Sequence, residues 1–181
     1  ADQDSIVQAM KEMVESEQLI MDGDVIYLPP FYYAEIGTAN KLKNLMGSTS
    51  MKAVPVQPNI QAISLQTGIE YDDVQVDAIR QAVNSKVMVL TGGPGTGKTT
   101  TTQGIIAALK DMGLKILLAA PTGRAAKRMS EATGMEAKTI HRLLEYNPAD
   151  GYKRNDENPV EGDVLIVDEC SMIDILLMNN L

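Results

Sequence analysis

The stretch LTGGPGTGKTT, residues 90–100, limits this chain to few folds. Gly92 is followed by four residues, then Gly97, Lys98 and Thr99. The apolar run KVMVLTG leads in, and a helical pattern, KTTTTQGIIAALKDMG, leads out towards Gly113. Glycines at this spacing let successive backbone N–H groups face one point. A helix that starts there adds the positive end of its dipole. The arrangement therefore predicts a buried parallel strand, a phosphate-cradling turn and a helix, in that order. Lys98 would neutralise β- and γ-phosphate oxygens, and the Thr99 hydroxyl would hold Mg²⁺. The expected nucleotide contacts are Gly93, Pro94, Gly95, Thr96, Gly97, Lys98, Thr99 and Thr100. A glycine-rich structural turn would leave Lys98 and Thr99 unexplained.

From about residue 61 the pattern alternates strand and helix. IEYDDVQVDAIRQAVN reads as a helix with Val74, Ala78, Ile79 and Ala82 inward. KILLAAPT reads as a second strand, GRAAKRMSEATG as a helix closed by Gly134, and KTIHRLLEYNP as a short helix stopped near Asn147 and Pro148. A polar, acidic excursion over 147–163 precedes a third strand, DVLIVDE, and a last helix, SMIDILLMNNL. This order predicts an α/β fold with a doubly wound parallel sheet and right-handed crossovers. DVLIVDE delivers Asp168 and Glu169 to the carboxyl end of its strand, where ligands bind in such sheets. Asp168 would reach Mg²⁺, and Glu169 would orient and deprotonate an attacking water. Capping of the next helix is the alternative for this acid pair. Gln75, upstream of the cradle, offers an acceptor and two donors that match an adenine edge. On its own it reads equally as a solvated side chain. Cys170 reads as a small core residue.

Residues 1–50 read as helix, hairpin, helix. Ile6, Val7, Met10, Met13 and Val14 recur at helical spacing, Asp22-Gly23 signals a tight turn, and Pro29 and Pro30 stop the second strand. A second helix would point Ile36, Ala39, Leu42, Leu45 and Met46 inward. Such a unit is winged-helix-like, and either packs as a spacer or contacts DNA. Residues 51–60, polar with two prolines, read as a linker, which leaves 61–181 for the cradle domain. The net charge of −8 argues against a nucleic-acid binder only until it is divided. Residues 1–90 carry 6 basic and 12 acidic side chains, residues 91–142 carry 8 and 3, and residues 143–181 carry 2 and 9. The positive charge surrounds the cradle and the helices downstream of it. One cysteine and one histidine exclude a disulfide framework and a zinc site of the usual ligand count. A single cysteine, no membrane-spanning apolar run and no leader peptide suggest a cytoplasmic setting.

Together, GGPGTGKTTT, DECSM, Gln75, and APTGRAAKRM followed by TIHRLL resemble superfamily 1 helicases, most closely the RecD-like (1B) branch. The likeness covers about residues 60–181. VIYLPPFYYAEIGTANKL also resembles the segment ahead of the motor in stand-alone bacterial RecD-like enzymes. The resemblance implies a RecA-like P-loop NTPase motor that hydrolyses ATP with Mg²⁺ and moves 5′-to-3′ on single-stranded DNA. It assigns strand contacts to Pro121, Thr122, Gly123 and Arg124, and to Thr139, Ile140, His141 and Arg142. Physical reading supports part of this. Gly123 permits close backbone approach, Thr122 and Thr139 can donate to phosphates, and Arg124, Lys127, Arg128, Lys138 and Arg142 make a basic strip. RAAKRM reads equally as an amphipathic helix with Ala125, Ala126 and Met129 inward, and His141 as a packing residue. The strip lacks an aromatic stacking platform, with only Tyr146 nearby.

A full member of that family carries a further sensor strand and a second motor lobe with an arginine finger. Ten residues follow Ser171. The chain is therefore expected to be an accessory unit plus part of a first motor lobe, binding nucleotide, hydrolysing it weakly and not unwinding DNA. Ile173, Ile175, Leu176 and Leu177 would lack cover, so the end is expected to be disordered or to self-associate. Two other readings stay open: the helicase region of a conjugative relaxase, and a non-catalytic ATP- or DNA-binding module.

Overall fold

A computed structural model describes residues 2–47, 55–93 and 95–181. Pro94 of the cradle and residues 48–54, including part of the expected linker, lie outside the described residues. The described chain forms two compact units, one of residues 2–43 with 173–181, the other of the remaining residues through 172.

In the first unit, helix α1 (Gln3–Glu15) starts at Asp2, whose carboxylate accepts the Ser5 N–H at 2.8 Å. It buries no residue, and Ile6 and Val7 are 50% and 44% exposed. Strands β1 (Ile20–Asp22) and β2 (Val25–Tyr27) pair antiparallel around Gly23 and Asp24, with Gly23 at φ +59°. The turn therefore falls one residue beyond the predicted Asp22-Gly23 pair. Pro29 and Pro30 open helix α2 (Pro29–Gly47), where missing N–H groups do no harm. Its buried residues are Ala34 and Thr38, while Ile36, Leu45 and Met46 are exposed. The predicted inward face is thus rotated, because small residues allow the close packing here. Helix α8 (Ile175–Asn180) belongs to this unit. Asp174 caps it through the Leu177 N–H, Lys41 Nζ donates to Asn179 O at 2.8 Å, and the bare Cα of Gly37 faces Asn179 Oδ1. Leu177 is buried. The expected disorder is thereby corrected. The apolar end is an ordered helix in which Leu177 is buried and Ile173 and Ile175 are half-buried, while Leu176 stays 39% exposed.

The second unit holds the sheet. Helix α3 (Ile60–Thr67), capped by Asn59 and closed by left-handed Gly68, begins where the sequence suggested a linker. Helix α4 (Asp73–Asn84) follows, then helix α5 (Lys98–Asp111). Strand β3 (Ile116–Ala120) leads to helix α6 (Gly123–Thr133), strand β4 (Ala137–Thr139) and helix α7 (Ile140–Leu143). Short strands β5 (Tyr146–Asn147) and β6 (Gly151–Tyr152) form an antiparallel hairpin, and strand β7 (Val164–Val167) follows. The parallel order is β4-β3-β7, which confirms an α/β fold with a parallel three-stranded sheet.

Central β3 buries Leu118, Ala119 and Ala120. Leu118 packs with Ile106 of α5 and Met129 of α6, and Ala120 packs with Ala125 and Ala126. A second core joins Ile63, Tyr71 and Ile79 to Ile105 and Leu109 of α5. Val74 is 80% exposed rather than inward, and Val76 packs on the core instead. The largest departure is the run at 86–91, which forms no strand; Val89 is 82% exposed. An apolar run becomes a buried strand only when it finds ladder partners and cover on both faces. β3 is the sole ladder neighbour of β7 among the described residues, and β7 is only half-buried. Among the described residues, no helix is long and apolar enough to cross a membrane.

Candidate nucleotide and nucleic-acid site

Gly97 sits in the left-handed region (φ 80°, ψ 18°) as the cap of α5, and no side chain closes this helix start. The first helical bond runs from the Thr101 N–H to Gly97 O at 2.9 Å. The N–H groups of Lys98, Thr99 and Thr100 precede it and have no partner within the helix. Lys98 Nζ donates to Gly92 O at 2.5 Å and Gly93 O at 3.0 Å, so the ammonium lies on the glycine turn. Thr96 donates its hydroxyl to Gly93 O at 2.8 Å, and a Cβ on Gly92 would stand 2.6 Å from that hydroxyl oxygen. Gly95 also takes a positive φ. Three open N–H groups, a helix dipole and a lysine meet the chemical needs of a phosphate chain. Thr101 and Thr102 turn their hydroxyls to Gly97 O and Lys98 O, while Thr99 lies on the exposed first turn.

Gln75 borders this turn. It completes a capping box with Asp72: its N–H donates to Asp72 Oδ1 at 2.9 Å, and its Oε1 accepts from the Asp72 N–H at 3.1 Å. Its Nε2 faces Gly97, where a Cβ would lie only 2.6 Å away.

The three parallel strands end on one edge of the sheet. β3 delivers Pro121 and Thr122, β4 delivers Thr139, and β7 delivers Asp168 and Glu169. The Asp168 N–H donates to Ala119 O at 3.0 Å, continuing the ladder past the strand. Asp168 Oδ1 accepts the Glu169 N–H at 2.8 Å, which leaves Oδ2 for another ligand. Glu169 takes φ 55°, uncommon for a side chain with a Cβ. Its carbonyl starts the single 3-10 turn Cys170–Met172 by accepting from Met172. Cys170 is exposed, which corrects its expected place in the core. Partial desolvation, and then the neighbouring Asp168 charge, push its thiol pKa up. Among the described residues, no three His, Cys, Asp or Glu side chains gather into a metal-holding group. A divalent ion here would rely on Thr99, Asp168 and phosphate oxygens, which suits Mg²⁺ better than a metal needing a protein cage.

Thr122 and Thr139 cap the next two helices, accepting the Ala125 and Arg142 N–H groups at 3.2 Å each. Capping uses an oxygen lone pair, so both hydroxyl protons remain for donation. Gly123 opens onto free space, and Arg124, His141 and Arg142 are exposed. α6 is the amphipathic helix anticipated, with Ala125, Ala126 and Met129 buried, and Lys127 solvated beside Glu131. The β5–β6 hairpin supplies what the sequence reading missed. Its register sets Tyr146 opposite Tyr152, with ring centroids 4.8 Å apart. His141 lies 5.4 Å from the first ring and 6.1 Å from the second. Arg154 fastens the hairpin: its Nε and Nη2 both donate to Glu145 Oε1 at 2.8 Å, and its N–H donates to Leu144 O. Tyrosines placed symmetrically about Asn147-Pro148 and Asp150-Gly151 were the available signal.

A family model described as an AAA domain matches residues 75–181, from Gln75 through the cradle and the acid pair to the end of α8. The chain belongs to the AAA domain family. Within it the chain is RecD-like. It is 38% identical over 156 residues to the ATP-dependent RecD2 DNA helicase of Deinococcus radiodurans, covering 86% of this chain and 21% of that protein. It is 33% identical over 184 residues to the RecBCD enzyme subunit RecD of Mycolicibacterium smegmatis, covering 88% and 32%. The RecD subunit of Haemophilus influenzae is 39% identical over 137 residues, covering 62% and 21%. This AAA domain chain thus spans a fifth to a third of the length of these relatives.

Proposed function

We propose that this chain is the ATP-binding motor segment of a DNA helicase of recombination and repair, acting in the cytoplasm on single-stranded DNA in the 5′-to-3′ direction. The observation that carries this reading is the shared edge of the parallel sheet. There the acid pair of β7 stands at the same edge as two threonine-capped helix starts, from β3 and β4. An ATP-hydrolysing motor needs that adjacency, because hydrolysis must be felt where the strand is held.

The first-turn N–H groups of α5 would bind the β- and γ-phosphate oxygens, and Lys98 would turn from the Gly92 and Gly93 carbonyls to neutralise them. Thr99 and Asp168 would hold Mg²⁺, which supplies charge neutralisation across the phosphates. Glu169, aimed by its left-handed backbone, would take the proton of the attacking water on its carboxylate. Thr122, Gly123 and Arg124, with Thr139, His141 and Arg142, would contact the DNA backbone. The ring group of His141, Tyr146 and Tyr152 is suited to stacking a base.

The test is equilibrium binding of Mg-ATP and of a single-stranded oligonucleotide, with hydrolysis followed in parallel. Lys98→Ala should lose nucleotide, whereas Glu169→Gln should keep it and stop turnover. Normal hydrolysis by Glu169→Gln would refute the base assignment, and DNA-independent turnover would refute the motor reading.

A further inference from the structure

Helix α8 has 6 residues, too few to be stable by itself in water. Its order must come from packing, and α2 supplies two contacts. A Cβ on Gly37 would collide with Asn179 Oδ1, so glycine is what lets the two helices approach this closely. That oxygen is buried and has no hydrogen-bond partner among the described residues, which leaves the bare Gly37 Cα–H as the group it rests on. One helical turn further along α2, Lys41 Nζ donates to Asn179 O at 2.8 Å and satisfies an open carbonyl of the last turn of α8. α8 is thus seated on α2 by a close approach and a charge-assisted hydrogen bond.

The same helix continues the chain from the acid pair. Residues 170–174 alone lie between Glu169 and α8, and they have little slack. The Met172 N–H donates to Glu169 O at 3.0 Å, Cys170 Sγ donates to Val167 O at 3.4 Å, and Asp174 Oδ1 accepts the Leu177 N–H at 2.8 Å. Glu169 is left-handed at φ 55°, a conformation that persists only where its surroundings over-determine it. Asp168 Oδ1 fixes its N–H from the strand side. On the other side the fixing runs through the 3-10 turn into α8, where the second unit gives way to the first. We propose that Gly37 and Lys41 are positioning residues for Glu169: by seating α8 they hold the turn that aims the carboxylate, so the first unit controls hydrolysis through the chain itself. This rests on the reading of Glu169 as the base that activates water.

The experiment is single-turnover hydrolysis of Mg-ATP by the whole chain, with Mg-ATP affinity measured beside it. Cys170, the one cysteine, gives a second readout, because its rate of modification by a thiol reagent reports the turn without any catalysis. Gly37→Ala should slow hydrolysis roughly tenfold or more, as displacement of a catalytic group does, keep the wild-type affinity, and speed Cys170 modification. Adding Asn179→Ala removes the atom that the new Cβ strikes and should restore most of the rate. Lys41→Met, which removes the donor and introduces no collision, should move both readouts the same way by a smaller factor. Wild-type hydrolysis by Gly37→Ala, equal loss of rate and affinity, or no rescue by Asn179→Ala would each overturn the proposal. Should Gly37→Ala fail to fold, Lys41→Met decides alone, and an unchanged rate with unchanged thiol modification overturns it. If Glu169→Gln hydrolyses as fast as the wild type, or the wild type hydrolyses nothing, the base reading fails and takes the proposal with it.

Discussion

Gly104 lies in the middle of α5, the helix whose first turn carries Lys98 and Thr99, and Gly104→Ala sets two known effects against each other. Alanine in a helix interior is worth about 0.5–1 kcal/mol over glycine, through chain entropy. Against this, the new Cβ would stand 2.5 Å from Ile79 Cδ1 and 2.9 and 3.0 Å from Cε1 and Cζ of Tyr71. Neither neighbour gives way easily. Ile79 is 0% exposed, and the Tyr71 hydroxyl donates to Thr67 Oγ1 at 3.0 Å. Overpacking of this kind costs about 1–3 kcal/mol, so it wins. Gly104→Ala should lose up to roughly 2.5 kcal/mol in urea denaturation, about 1.25 kcal/mol at the middle of the two ranges. Ile79→Val removes Cδ1 and by itself should lose about 0.5–1.5 kcal/mol. The double variant should lose less than the sum of the two, because the 2.5 Å collision has been removed. A stabilising Gly104→Ala, or strictly additive losses, would refute the close-approach account of how α4 seats α5.

Tyr146→Ala and Tyr152→Ala should each weaken binding of a single-stranded oligonucleotide by about 1–3 kcal/mol in fluorescence anisotropy, with Tyr146→Phe nearly neutral, as stacking requires. Arg154→Met removes both donors to Glu145, and should lose roughly 1–3 kcal/mol of local stability. Hydrogen exchange at the Arg154 N–H, bonded to Leu144 O, would report the hairpin opening. Asp2 is held below its ordinary 3.8, chiefly by the backbone N–H of Ser5, with the Ser5 side chain second. Because the folded value is depressed, its support of α1 is complete above that ordinary value and is lost as pH falls through the lowered one. Far-UV circular dichroism should show helix lost on that acid limb, and Asp2→Asn, which keeps an acceptor but does not titrate, should remove the step.

What could be read in the sequence was what rests on local chemistry. Gly97, Gly113 and Gly134 take the left-handed conformations their spacing suggested, and β3, β7, α5 and α6 lie close to where the patterns put them. The acid pair does fall at the end of its strand. What misled was any inference needing a partner from elsewhere in the chain. The run at 86–91 has the composition of a buried strand, but composition carries no ladder partner, and Val89 stays in solvent. Ile79 is buried as expected, but Ile36 and Val74, apolar at helical spacing, are exposed, and Ala34 and Val76 face the packing instead. In both helices a small or better-aimed neighbour permits closer packing, a decision made across the interface rather than along the chain.

The aromatic group shows the same limit from the other side. Tyr146 and Tyr152 stand six residues apart with a proline and a glycine between them, and neither alone suggests a platform. They meet because Glu145 turns the backbone at φ 52° and Arg154 clasps it from across the loop. A left-handed glutamate is a costly choice unless something over-determines it, and the ion pair does so here. Glu169 repeats the pattern at the end of β7, where the Met172 N–H fixes its carbonyl and Asp168 Oδ1 its N–H. All three left-handed glutamates, Glu17 between α1 and β1 at φ 57° as well as Glu145 and Glu169, lie where the chain leaves regular structure. At Glu145 and Glu169 that turn also sets the direction of the side chains that follow, Tyr146 and the acid pair. It follows that Glu169→Gly, which relaxes the backbone and leaves the ion pair of Glu145 intact, should disturb the direction of its neighbours more than the stability of the fold, leaving the melting temperature nearly unchanged while turnover is lost.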